Sequence, residues 1–403
     1  MLAPMAVPPC ELKPRAAPPG RDDCRLSYII AGAAFAALYS EWKNLQRKDL
    51  GIAIIGSGRI GTLRAVMAAA HPAVKFLAVS DRDPQCAEKL AARVGAQLHT
   101  SDNLAAISHP DVNAVIVSTI ELEHTLPILQ ALELGKPVLV EKPLALDLAE
   151  ADKLIAAAAK TRGDLRVGFS RRYKDRYLLA KEQIAQGRLG RITSAAARVY
   201  NSRSQALQTL KRLPENSSVS GLTYYIDVMN WLLAGNPAVE VFARGQGSVL
   251  KNTGYNTNDV TWAIVTFADG AVVNFGVCYA LPQHYPSLGH AARVEVIGTE
   301  GVMILDDDHT DQLMYTNVGV PHVYIPDHTV NMVFLGSGTP GDWALGEFQG
   351  PVASESRAWL DYLSTGRACV LATPEDARRA LEISLAIERS LKTGAAVKLP
   401  LTT

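Results

Sequence analysis

The stretch Leu50-Gly51-Ile52-Ala53-Ile54-Ile55-Gly56-Ser57-Gly58-Arg59-Ile60-Gly61 decides how the rest of the chain is read. It starts as a short apolar run and ends in G-x-G-x-x-G. Leu63, Val66, Met67 and Ala70 then fall at i, i+3, i+4 and i+7, one face of a helix. A glycine-rich turn alone is weak, because such turns are common. Here it lies between a predicted strand and a predicted helix, and Asp81 closes the next predicted strand, Lys75–Ser80, twenty residues after Gly61. In such a unit the first glycine makes the tight turn and the second lets backbone approach a pyrophosphate. The third lets helix pack on strand, and the helix N-terminus faces the phosphate charge. Asp81 is placed to accept hydrogen bonds from ribose hydroxyls, and its charge would repel a 2′-phosphate. NAD is therefore the expected cofactor, while Arg82, able to pair with that phosphate, keeps NADP open.

Working outward, strands are predicted at 113–118, 137–140 and 165–170. Helices are predicted from Pro84, over 121–134 (ended by Gly135) and over 148–160. Short apolar strands alternating with helices give βαβ units and a parallel sheet buried on both faces. Residues 50–171 thus read as a doubly wound dinucleotide-binding (Rossmann) domain. From 172 to 403 the rhythm changes: strands at 192–200, 239–245, 260–267, 271–280 and 292–297 arrive without helices between them. Asp269-Gly270 marks a hairpin turn in which both residues tolerate positive φ. Helices near 174–187, 223–234, 351–364 and 374–392 suffice to cover one face of a large, open, mainly antiparallel sheet. The uncovered face is expected to meet a second subunit, giving a homodimer or homotetramer.

Composition bounds the function. Lys+Arg and Asp+Glu stand at 40 each in 403 residues, so there is no bulk basic field to hold a nucleic acid. The five cysteines are scattered and form no C-x-x-C pair, so neither a disulfide framework nor a zinc site is expected, and no other metal. Residues 1–49, rich in proline at the start, read as an extension contributing little to the core. Its apolar run, Tyr28–Tyr39, would span about 18 Å as a helix against a bilayer core of about 30 Å. No membrane span and a cytoplasmic location are the expectations.

The chemistry is expected around Val138-Leu139-Val140-Glu141-Lys142-Pro143, at the C-terminal end of a parallel strand, where open α/β sheets place their ligands. A lysine leaving a buried apolar strand is unusual. Its ammonium can stabilise an alkoxide as hydride leaves, or simply pair with Glu141 at the rim; the residues alone leave both open. Pro143 makes a cis peptide plausible.

These pieces together resemble the glucose–fructose oxidoreductase / inositol dehydrogenase / rhizopine-catabolism (Gfo/Idh/MocA) family over about 51–400. The resemblance is carried by the glycine motif, Val79-Ser80-Asp81-Arg82-Asp83, Leu134-Gly135-Lys136-Pro137 running into Glu141-Lys142-Pro143, Val167-Gly168-Phe169-Ser170-Arg171-Arg172-Tyr173, Leu189-Gly190-Arg191-Ile192 and Ile297-Gly298-Thr299-Glu300-Gly301. It implies NAD(P)-dependent hydride transfer at a secondary alcohol of a cyclic polyol, sugar or dihydrodiol, with Lys142 catalytic. It also implies that Ser118, Thr119, His124 and Glu141 join Gly56, Ser57, Gly58, Arg59, Ile60, Gly61, Asp81, Arg82 and Lys142 around the cofactor.

Two departures qualify it. The usual T-P-x-x-x-H loop reads Thr119-Ile120-Glu121-Leu122-Glu123-His124, which keeps the histidine and loses the proline. The usual D-x-x-x-H-x-x-D motif has Ser220, Tyr224 and Asp227 in its three positions. Tyr224 is then the expected acid/base, an option some relatives use, provided a nearby cation favours its anion; packing within an amphipathic helix is its alternative. Asp227, with Arg171 and Arg172 at the domain crossover, is expected to contact substrate, an arginine fork suiting a carboxylate; a domain-bridging salt bridge competes for the arginines. Two other activities compete with the dehydrogenase: NAD-assisted glycoside cleavage, and dinucleotide binding without turnover.

Overall fold

The strand that leads into the glycine turn is apolar because it is covered on both faces. β1 (Leu50–Ile55) is buried at every position, and it lies at the centre of a six-stranded sheet with β2 (Val74–Ser80), β3 (Leu98–Thr100), β4 (Ala114–Val117), β5 (Val138–Glu141) and β6 (Leu165–Gly168). The order is β3-β2-β1-β4-β5-β6 and every pairing is parallel. That order reverses between β1 and β4, which opens a crevice at the strands' C-terminal ends. The connecting helices are α1 (Arg59–Ala70), α2 (Pro84–Val94), α3 (Asn103–Ser108), α4 (Thr125–Glu133) and α5 (Leu148–Thr161). Pro84 is the first residue of α2, capped by Asp83, whose side chain accepts from the Gln85 N–H at 2.9 Å. The helix expected over 121–134 opens instead as a 3₁₀ turn, Glu121–Glu123, before α4.

The computed structural model describes residues 47–214, 217–282, 290–306, 313–321, 329–334, 342–344 and 347–401. The expectation for residues 1–49 falls almost wholly outside them.

Beyond α6 (Asp175–Ala185) come β7 (Ile192–Ser202), α7 (Arg203–Arg212), α8 (Thr223–Leu232), β8 (Ala238–Gln246), β9 (Val260–Phe267), β10 (Val272–Leu281), β11 (His290–Gly298), β12 (Gly301–Asp306), β13 (Leu313–Pro321) and β14 (Thr329–Phe334). A short ribbon, β15 (Asp342–Ala344) with β16 (Glu347–Gln349), precedes α9 (Pro351–Thr365), α10 (Pro374–Thr393) and β17 (Val397–Lys398). The second sheet has nine strands in the order β14-β13-β12-β11-β7-β10-β9-β8-β17, antiparallel except where β10 meets β7. Of the hairpin pair, only Gly270 takes positive φ, at +89°. Asp269 keeps negative φ and accepts from the Ala271 N–H at 2.9 Å, so its role is hydrogen bonding and not conformational tolerance.

Inward positions of this sheet (Val241, Ala263, Val265, Val273, Phe275, Val277) are closed against helices, chiefly α10, in one core. The opposite positions stay apolar yet uncovered, with Trp262 43% and Ile264 46% exposed. Near its end the chain returns to the first sheet. α9 packs on α1, and Trp359 and Leu360 join the core cluster of Ile52, Ile54 and Val79. A cut at 171/172 therefore separates the chain by sequence but not by packing.

Candidate active site

A cleft of about 1070 Å³ lies along the C-terminal edge of the parallel sheet, walled by both sheets' elements. Its glycines do three different jobs. Gly56 has φ +99°, and a Cβ there would sit 2.6 Å from the Ser118 carbonyl oxygen; at Gly61 it would sit 1.9 Å from the Gly56 oxygen. At Gly58 a Cβ would meet nothing within 4 Å, because the backbone there faces the open cleft. The N-terminus of α1 has no side-chain cap and no acidic residue in its first turn. Its amides are therefore left for an anion. The buried hydroxyls of Ser57, Ser118 and Thr119 have no hydrogen-bond partner among the described residues. Turn, bare helix end and waiting hydroxyls fit a dinucleotide.

Asp81 lines the same cleft and accepts from the Ser57 N–H at 2.7 Å and the Asp83 N–H at 3.0 Å. Two backbone donors thus aim its carboxylate before any ribose arrives. Arg82 also lines the cleft and pairs with Glu123 at 3.1 Å, both exposed. His124 is buried, with Nδ1 3.0 Å from the Pro143 carbonyl and Nε2 3.3 Å from that of Thr119. Burial holds its pKa below the usual range, against the pull of those two carbonyls. It ties the Thr119 loop to the Lys142-Pro143 peptide, which is cis, and its ring nitrogens are both turned to backbone.

Lys142 Nζ lies 4.9 Å from the centroid of the Tyr224 ring, and the Arg171 guanidinium lies 5.1 Å from it. All three residues line the cleft. Phe169 packs edge-on to Tyr224, with ring centroids 6.2 Å apart. Two cations therefore face one phenol ring inside the cleft.

Other expected site residues lie elsewhere. Arg172 and Asp227 are both buried and bonded to each other at 2.5 and 2.8 Å, with Asp376 3.2 Å from Arg172. Neither belongs to the cleft wall; with Asp376 the pair forms a buried salt bridge within residues 172–403 that ties the turn after β6 to α8 and α10. Burying two charges without such mutual bonds would be far too unfavourable. Glu141 reaches the wall, but its carboxylate is bound by Arg64 at 2.6 Å.

Sequence reading missed Tyr279 and Arg64. Tyr279 lies on the cleft wall and hydrogen-bonds Ser220 Oγ at 3.2 Å. Its signal was available, since it continues the inward series Val273, Phe275, Val277 at period two. Arg64 is fully buried on α1 among Ala65, Met67 and Ala68, and a lone arginine on a helix's apolar face was the trace it left.

The model for the oxidoreductase family with an NAD-binding Rossmann fold matches residues 50–169, and that for the family's C-terminal alpha/beta domain matches 181–399. The chain belongs to the Gfo/Idh/MocA oxidoreductase family. Within it, the scyllo-inositol 2-dehydrogenase (NAD(+)) of Bacillus subtilis (strain 168) is 25% identical over 352 residues, covering 86% of this chain and 95% of that one. An inositol 2-dehydrogenase of Streptomyces avermitilis is 28% identical over 323 residues, covering 78% and 89%. The crystal structure of GenD2 from gentamicin A biosynthesis in complex with NAD aligns with TM-score 0.69 at 25% identity, covering 88% of this chain and 97% of that one. NAD is the cofactor of this family member, and its NAD-binding Rossmann fold spans residues 50–169.

Proposed function

We propose that the protein is an NAD-dependent dehydrogenase of a secondary alcohol on a cyclic polyol, sugar or carboxylated dihydrodiol, with Lys142 and Tyr224 as the reacting pair. The observation that carries this reading is the convergence of Lys142 and Arg171 on Tyr224 inside the cleft that holds the glycine turn. The similarity to inositol dehydrogenases supports a polyol.

Bound NAD supplies the hydride acceptor. The Lys142 ammonium stabilises negative charge as it develops on the carbinol oxygen. Tyr224, reacting as its phenolate, takes the alcohol's proton as the hydride leaves. Arg171 offers a planar fork to a carboxylate or to ring hydroxyls, and Tyr279 with Ser220 adds a pair of hydroxyls for orientation. The uncovered face of the nine-stranded sheet is assigned to a second copy of this chain, and the scattered cysteines suit a cytoplasmic setting.

The test is a screen for NADH formation with inositols, sugars, sugar acids and aromatic dihydrodiols, run with NAD and NADP. Oxidation of one class with NAD preferred is the expected result. Release of a sugar without net NADH, or tight NAD binding without any turnover, would replace the dehydrogenase reading.

A further inference from the structure

Beneath Lys142 lies a charge cluster that the proposed reaction does not use. Arg64, on the helix that begins at the glycine turn, is fully buried and makes four hydrogen bonds: Nε to Glu141 at 2.9 Å, one terminal nitrogen to Ser356 Oγ at 2.9 Å, and the other to Glu141 at 2.6 Å and Glu355 at 2.5 Å. Gly168 makes room for it, since a Cβ there would stand 2.9 Å from the guanidinium and 3.4 Å from both Glu141 oxygens. Glu141 immediately precedes Lys142. Glu355 comes from α9, which the chain brings back onto α1. Its Oε1 is buried and has no hydrogen-bond partner among the described residues.

One buried cation facing two carboxylates is out of balance, and a dry site relieves the excess by keeping a proton. The groups around Glu355 are Arg64 of α1, Glu141 of β5, Arg172 and Tyr173 of the turn after β6, and Asp227 of α8. β16 also contacts α9 and carries Glu347, which is exposed. Burial first, and then Glu141, push Glu355 up to about 7, with Arg64 opposing.

We propose that Arg64 and Glu355 are positioning residues for Lys142: the shared guanidinium fastens the Glu141-Lys142-Pro143 turn to the cofactor-binding helix, and the proton on Glu355 sets how Arg64 is divided between the two carboxylates. The inference rests on Lys142 as the reacting residue. With Glu355 protonated, Arg64 belongs to Glu141 and the turn is held firmly. With Glu355 ionised, Arg64 is shared and the turn is held less firmly. Small displacements of a reacting group are enough to lower turnover by up to about a hundredfold.

Two variants and one label test it. Glu355→Gln keeps the shape and removes the titration. The component of kcat that inflects near neutral pH in the wild type should disappear, with NADH affinity within about twofold. Arg64→Lys keeps a charge but loses the fork. Its kcat should fall roughly ten- to a hundredfold, with KM and NADH affinity little changed. Independently of turnover, lysines carrying ¹³C-methyl groups, with Lys142 assigned by its absence in Lys142→Arg, should show a wild-type Lys142 resonance that shifts near neutral pH and stays flat in Glu355→Gln. That arm also decides the matter if Arg64→Lys does not fold. An unchanged pH profile in folded Glu355→Gln, a wild-type kcat in Arg64→Lys, kcat, KM and NADH affinity failing together, or a flat wild-type resonance would each overturn the proposal. Full activity in Lys142→Met would remove the assigned role of the lysine itself, and this inference with it.

Discussion

At the scale of single residues, the dehydrogenase reading makes three substitutions informative. Lys142→Ala removes the ammonium that faces the developing alkoxide, so kcat should fall by about 10²–10³, on the scale of losing one oxyanion donor. NADH fluorescence titration should give wild-type affinity, since the phosphates are assigned to the glycine turn. Tyr224→Phe keeps the ring that packs on Phe169 and sits beside both cations, so packing cannot account for a loss. A fall of about 10²-fold with an altered pH profile is expected, and near wild-type turnover would leave Lys142 to handle the proton alone. Asp81→Ala should weaken NAD and narrow its advantage over NADP, as read by the ratio of the two dissociation constants. Arg82, paired with Glu123 at 3.1 Å, has to give up that partner before it can meet a 2′-phosphate.

At the scale of elements, the glycine turn and α1 act as one unit. Gly61→Ala would put a methyl 1.9 Å from the Gly56 oxygen, a contact no rotamer can relieve. The turn must move, and NADH affinity should drop at least tenfold, about 1.4 kcal/mol, while circular dichroism stays close to wild type. Ordinary affinity in that variant would mean that the turn does not hold the phosphates. The helices at 175–185, 223–232, 351–365 and 374–393 were legible to within two residues because each carries a long apolar stripe and a clear stop signal. α3 and β3 were too short to show a period. α7 went unread because its lysine, two arginines and two glutamines hide a buried stripe of only Ala206 and Leu210.

At the scale of the whole molecule, two expectations concern stability and assembly. Glu355 is raised from 4.5 to about 7 in the folded protein. Between those values the native state holds a proton that the unfolded chain has released, so stability falls as pH rises from about 4.5 to about 7 and is level above. Urea denaturation across that window should show the wild type gaining on Glu355→Gln as pH is lowered, by on the order of 3 kcal/mol at most. A difference that does not vary with pH would mean that Glu355 does not titrate there. The apolar outer face of the nine-stranded sheet predicts a dimer or tetramer by light scattering. Trp262→Asp combined with Ile264→Asp should yield a monomer, and an oligomer untouched by both would place the interface elsewhere.

The sequence by itself determined the two-sheet architecture and the glycine turn, because these depend on local periodicity and on short spacings along the chain, whereas the role of the E-K-P lysine came only from the family resemblance. The fates of like-looking neighbours were decided only in three dimensions. Arg171 and Arg172 are adjacent, yet one reaches the cleft and the other is closed onto Asp227, 55 residues away. Tyr224 and Asp227 share a helix, yet only the tyrosine reaches the cleft. Arg64 meets Glu355 across 291 residues. A buried charge survives only where a partner from another element arrives at hydrogen-bond distance, and no local pattern records which distant residue that will be.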